Sequence, residues 1–180
     1  MNLGILFLAA AVNFVLLFPL AKHAGVETVA VPTDSPVTRA FDRIDYADAY
    51  RATVPPGGHH DIDSVTRAVL SSLFPCWIAP SERERVEAAL RTATFQTGAS
   101  LGDWKVYQKA ANEIILGADE NHLDFRLSIL LSDENGARWF TISTVVHFNN
   151  WKGTAYFIPV RVGHKIIVPH AVRTAVYNLR

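Results

Sequence analysis

The sequence of 180 residues holds a single cysteine, Cys76. One thiol excludes an internal disulfide and a cysteine-built zinc site. Its place between Pro75 and Trp77 makes packing its expected role, because a nucleophile needs a base that the sequence does not set beside it. Charge is also scarce: 19% of the residues are charged, and 17 Lys and Arg face 17 Asp and Glu. Without a basic surplus to neutralise phosphates, a general nucleic-acid binder is excluded. No GxGxxG run occurs, so no nicotinamide site is expected, and no other cofactor is implied. What is abundant is apolar: 49% of the chain is hydrophobic, which excludes disordered and collagen-like classes and leaves one domain of ordinary size.

The apolar content is uneven. Met1 to Ala21 carries no charged side chain, and 17 of these 21 residues are apolar. As a helix, Leu3 to Leu20 would reach roughly 27 Å, close to the thickness of a bilayer's hydrocarbon core. Residues 1–21 are therefore expected to form a separate apolar helix, with the membrane as its partner through residues 3–20. Two other readings stay open. One is a secretory signal, which has Thr28-Val29-Ala30 as a small-x-small cleavage site but lacks a basic start. The other is a leader that is buried or lies outside the translated protein. Lys22, Arg39 and Arg43 on the C-terminal flank favour a cytoplasmic domain. Residues 22–36, with Pro32 and Pro36 around Thr33, Asp34 and Ser35, read as a linker, and residues 37–180 read as the folded domain.

Phe41 to Thr53 reads as a strand that Pro55-Pro56-Gly57-Gly58 stops. A helix follows, capped by Asp61 or Asp63, with Val65, Val69, Leu70 and Leu73 on one stripe, ending before Pro75. In a second helix, Ser81 and Glu84 form a capping box, Val86, Ala89 and Leu90 supply a short apolar face, and Glu87 and Arg91 make an i,i+4 pair. From Trp104 the period changes to two. Trp104 to Ala111, Glu113 to Gly117, His122 to Leu131 and Arg138 to Phe148 read as four consecutive antiparallel strands.

Asn135-Gly136 is the strongest local signal. Both residues tolerate positive φ, so a two-residue type I′ turn is expected, and residue numbers paired across the hairpin must then sum to 271. This register puts Leu131 with Phe140, Ile129 with Ile142, Leu127 with Thr144, Phe125 with Val146 and Leu123 with Phe148 on one face. Ser128 with Ser143, Arg126 with Val145 and Asp124 with His147 fall on the other. One packed face and one wet face are expected.

After a cap at Asn149 or Asn150, the stripes Tyr156/Val160/Ile167/Ala171 and Phe157/His164/Val168/Val172/Leu179 suit a long helix, kinked at Pro159 and Pro169. An extended segment through Lys165 to Val168 before a short final helix is the alternative.

Several groups carry possible chemistry. His122, Asp124, Arg126 and His147 would form an acid–base cluster if they met, because a carboxylate fixes the tautomer of an imidazole and raises its basicity. Their place on the wet face argues for ordinary surface polarity instead. His59-His60-Asp61-Ile62-Asp63 resembles a metal run, but adjacent side chains do not converge on one ion and an aspartate is needed as the helix cap, so no metal is expected. Trp104, Trp139 and Trp151 read as core or rim.

Asn112-Glu113-Ile114-Ile115-Leu116-Gly117, the run Asp119 to Arg126 with its His-Leu-Asp-Phe-Arg core, and the stretches Gly153 to Tyr156 and His164 to Val168 resemble a bacterial family, domain of unknown function 2867. Asp45-Tyr46-Ala47-Asp48-Ala49-Tyr50 and Pro75-x-Trp77 resemble it too, so the likeness runs from about Val29 to the C-terminus and leaves out the leader. It implies an α+β helix-grip fold, as in START and birch-pollen-allergen proteins: an antiparallel sheet wrapped around a long C-terminal helix, with two short helices after the first strand. It also implies an apolar cavity between sheet and helix.

That cavity would be lined by Phe125, Leu127, Ile129, Ile142, Val146, Tyr156 and Phe157, with His164 as its polar group. Non-enzymatic binding of an apolar small molecule is the expected function. The alternatives are a cyclase, isomerase or hydrolase acting through His122, Asp124 or His164, and a membrane-tethered interaction module that uses the polar sheet face. Which of the first two holds depends on whether Asp124 or His122 points into the cavity beside His164.

Overall fold

The computed structural model describes residues 25–58, 60–73 and 80–180. The leader, His59, Cys76 and Trp77 lie outside the described residues. No helix among the described residues is long and apolar enough to cross a membrane.

The chain is α+β. Seven antiparallel strands form one sheet: β1 (Glu27–Val29), β2 (Tyr46–Thr53), β3 (Ser100–Leu101), β4 (Trp104–Lys109), β5 (Glu113–Asp119), β6 (Leu123–Glu134) and β7 (Ala137–Phe148), in the spatial order β1-β2-β7-β6-β5-β4-β3. Helices α1 (Ile62–Leu73) and α2 (Pro80–Thr92) lie between β2 and β3 in sequence, and α3 (Trp151–Asn178) closes the chain.

The central hairpin follows from its turn. Asn135 and Gly136 both have positive φ, +51° and +77°, as a type I′ turn requires. Every partner pair from Leu123 with Phe148 to Glu134 with Ala137 sums to 271. Leu127, Ile129, Leu131, Phe140, Ile142 and Val146 consequently share one buried face, on which α1 and α3 pack.

The helices obey local rules with two changes. Asp61 caps α1 by accepting from the Ser64 N–H at 2.8 Å, while Asp63 forms an ion pair with Lys109 at 2.7 Å. The predicted α1 stripe of Val65, Val69, Leu70 and Leu73 is buried. Helix α2 already includes Pro80, one residue before the expected Ser81 cap, because proline's fixed φ suits a first helical turn. In α2 Leu90 is buried and Val86 packs on the core, but Ala89 is exposed. Glu87 and Arg91 pair at 3.7 Å.

Helix α3 runs unbroken for 28 residues with both prolines inside it, which excludes an extended segment at Lys165 to Val168. Asn150 caps it, accepting from the N–H groups of Lys152 at 3.0 Å and Gly153 at 3.4 Å. Trp151, expected in core or rim, is instead 75% exposed, in a first turn of which only Gly153 is buried. Trp139 lies under the Arg51 guanidinium at 4.4 Å.

The outer sheet face departs most from expectation. Residues 31–44, which span the end of the predicted linker and the start of the predicted first strand, lie across it. The strand itself begins only at Tyr46, and Val31, Val37, Ala40, Phe41 and Ile44 pack on Ile115 and Val145. Ser35 and Ser128 each donate a hydroxyl to the buried Glu113 carboxylate at 2.5 Å. The face is therefore buried here and Glu113 is paired internally, as burial demands, while the Ser143 hydroxyl is buried without a hydrogen-bond partner. The same crossing strap covers part of the face that reads as polar and wet. Upstream, Glu27–Val29 pairs with β2 as an edge strand and Glu27 bridges to Arg51 at 2.8 Å, so the stretch read as linker adds a strand.

Arg126 also lies under this cover. Gly117, its cross-strand partner, leaves room for the side chain to pass over β5: a Cβ at Gly117 would lie 3.0 Å from Arg126 Cδ and 2.1 Å from the Phe125 carbonyl oxygen. The guanidinium then stacks on Tyr107 at 3.5 Å and pairs with Asp119 at 2.7 Å. Burial pushes the Tyr107 phenol up to about 12, helped by its hydrogen bond to Asp119. For Asp119 burial pulls upward, but hydrogen bonds from Tyr107 and Arg126 outweigh it and hold the carboxyl below its ordinary value.

Gly153 seats α3. A Cβ there would fall 1.9 Å from the His122 carbonyl oxygen, a backbone atom of the turn between β5 and β6 that cannot step aside. Gly153→Ala is therefore expected to lower stability by about 1–3 kcal/mol through overpacking, although the same change on an open helix adds about 1 kcal/mol. Urea unfolding measures the sign; a gain would show that the helix does not press on this turn.

Candidate functional site

The interior between sheet and α3 is filled at one end and open at the other. At the filled end α3 presents Ala171, Val172 and Ala175, and α1 presents Val65 and Val69, all fully buried. Small side chains on α3 let it approach the ladder closely, so Ile129 and Ile142 are fully buried within that core. These two were expected to line a cavity, and they do not.

Toward the turn between β5 and β6 the helix carries larger residues and stands over a cavity of about 110 Å³. Its walls are Leu123, Phe125 and Leu127 from β6, Thr144 and Val146 from β7, and Tyr156, Phe157, Val160, His164 and Val168 from α3, with Trp104, Leu73 and Glu120 completing them. Phe125, Leu127, Val146, Tyr156, Phe157 and His164 are thus brought together as the sequence predicted. Phe157 packs against Tyr46 at 4.8 Å and Phe148 at 5.3 Å, and Trp104 meets Phe125 edge-on at 5.2 Å, which fixes the aromatic walls.

One polar group is built into this wall. His164 Nδ1 lies 3.0 Å from Asp48 Oδ2, and both side chains are only 12% exposed. The same Oδ2 accepts the Tyr46 hydroxyl at 2.5 Å. Tyr46, Asp48 and Tyr50 alternate along β2 and so share its inner face. Burial pushes the Tyr46 phenol far above its ordinary range, reinforced by the hydrogen bond to Asp48. Burial also pushes Tyr50 up to about 12, with the Asp48 charge adding to it. Directly across the ladder from Asp48 stands Thr144, whose hydroxyl is buried without a hydrogen-bond partner, as is Asp48 Oδ1.

A carboxylate only accepts hydrogen bonds, so the His164 nitrogen that meets it carries the hydrogen and Nε2 keeps its lone pair in the neutral ring. With Nδ1 tied to Asp48, Nε2 is the ring nitrogen left for another partner. Such a pair can accept a hydrogen bond from a bound molecule or take a proton from one.

The acid–base cluster that His122, Asp124, Arg126 and His147 would form if they met does not assemble. Asp124 accepts from the Glu120 N–H at 3.0 Å and from Asn149 at 3.1 Å, bracing the loops at the end of the sheet. His147 turns to Asp45 at 3.3 Å and to the Arg43 carbonyl at 3.0 Å. Arg126 goes to Asp119. His122 lies 3.5 Å from Glu120 and edge-on to Tyr156 at 4.8 Å, so that Glu120, and not His122 or Asp124, lines the cavity.

Asp48 and Thr144 are the residues that sequence reasoning missed. Asp48 had a readable signal, a carboxylate between two tyrosines at period two. Thr144 had one as well, the only hydroxyl in the apolar ladder of the hairpin.

No curated protein matches the chain. A family model does match, over residues 76–171, which takes in Thr144 and His164 and leaves out Asp48. That match covers more than half of the sequence, and the chain belongs to the family described as protein of unknown function, DUF2867.

Proposed function

We propose that the protein binds an apolar small molecule in the cavity between sheet and α3, within a helix-grip domain of the START-like kind. The observation that supports this most is the contrast inside one core: a filled end around Ile129 and Ile142, and a cavity of about 110 Å³ with mostly apolar walls beside it. Protein interiors are normally packed to crystal density, so a space of this size next to a close-packed ladder reads as a site. The order of the sheet, with β2 and β3 far apart in it and α3 across its inner face, agrees with the helix-grip reading.

A second reading has its own support. The Asp48–His164 pair places a base at the cavity wall, so an enzyme using His164 as general base fits the same site, with Asp48 positioning the ring.

Val160 is the place to separate occupancy from folding, because it lies on the cavity side of α3 and is only partly buried. The full chain, purified in lipid nanodiscs, is expected to release a co-purified apolar molecule in native mass spectrometry. Val160→Trp, which fills the space, is expected to cut that occupancy at least tenfold while leaving cooperative unfolding intact. Equal occupancy in both proteins would place the ligand elsewhere, and no bound molecule in either, even after incubation with apolar probes, would contradict the reading.

Residues 3–20 are proposed as a membrane anchor for this domain. The possible cleavage site at Thr28-Val29-Ala30 falls at the end of paired strand β1, so cutting there would strip an edge strand from the sheet, and this supports retention over removal. The full chain is expected to stay with membranes through an alkaline carbonate wash. Release of the protein, or a mature N-terminus at Val31, would overturn the anchor.

A further inference from the structure

We infer that the cavity selects molecules carrying a single hydroxyl on an apolar ring, held between His164 Nε2 and Thr144 Oγ1. This rests on the binding reading above and specifies its ligand class.

Three observations carry it. The Thr144 side chain lines the cavity, is 95% buried and has no hydrogen-bond partner. A buried hydroxyl left unpaired costs about 1–3 kcal/mol, so a group that satisfies it gains what an apolar ligand cannot. Asp48 stands across the ladder from Thr144 and holds His164 by Nδ1, which leaves Nε2 as an acceptor. A ligand hydroxyl matches both at once: it donates to Nε2 and accepts from the Thr144 O–H. A carbonyl could use only Thr144. A carboxylate would face the lone pair of Nε2 and the negative charges of Asp48 and Glu120 in a poorly solvated site. The volume sets the scale of what enters, because a cavity of about 150 Å³ holds benzene in another protein.

The test compares shapes that differ only in the polar group. Phenol, toluene and benzoate are titrated into the full chain in nanodiscs, and binding is read from saturable shifts of the Leu127 and Val146 methyl resonances against free probe concentration. Phenol is expected to bind about tenfold tighter than toluene, with benzoate weaker than both. Thr144→Val, which removes an unpaired hydroxyl and keeps the shape, is expected to erase the preference for phenol over toluene. As a second readout, phenol should move the His164 Nε2 nitrogen resonance as that atom accepts a hydrogen bond. Tighter binding of toluene than phenol in the unaltered protein, or an unchanged ratio in Thr144→Val, overturns the selection while leaving apolar binding in place. Failure of both phenol and toluene to bind overturns both.

Discussion

The register set by the Asn135-Gly136 turn is the constraint on which the interior depends. Side chains in a strand alternate faces, so a slip of one residue between β6 and β7 would set their apolar faces against each other: with Leu127 and Ile129 kept under α3, Ser143 and Val145 would join them and Ile142 and Val146 would turn outward. The observed pairing keeps Thr144 on the inner face opposite Leu127, where the separate pairing of β7 with β2 sets it across from Asp48, the partner of His164. The positive φ of the two turn residues thus acts far from the turn, because together with the pairing of β7 and β2 it decides which polar groups share the inner face.

The second determinant is the gradient of side-chain size along α3. Ala171 and Ala175 draw the helix onto the ladder, whereas Tyr156, Phe157 and Val160 hold it off. Because Gly153 presses on the His122 carbonyl and Asn150 caps the first turn, the helix is fixed at its wide end as well. The cavity is then a consequence of two fixed ends with unequal side chains between them.

Much of this was legible in the sequence. Period-two alternation from Trp104 and the Asn-Gly turn fixed four strands and their pairing, and period-3.6 stripes predicted α1 and α3, despite two prolines in α3. The outer face was not legible, since hairpin arithmetic shows which residues share a face but not what lies on it. Ile115 and Val145 among the serines were the hint that Val37 and Phe41 would cover it. The cavity lining was half legible for a similar reason: periodicity placed Ile129 and Val146 on one face, and only the distance to α3 separates a packed residue from a lining one. Asp48 was missed because its partner, His164, lies 116 positions away.

The division of the interior into a filled end and a receptive end is the centre of this account, and a crystal of the protein under xenon pressure tests it directly, since xenon enters apolar cavities without needing any polar contact. The account predicts a bound xenon among Leu123, Phe125, Val146, Phe157 and Val160, and none between the Ile129–Ile142 pair and Ala171. Xenon at the second position, or at neither, would contradict it.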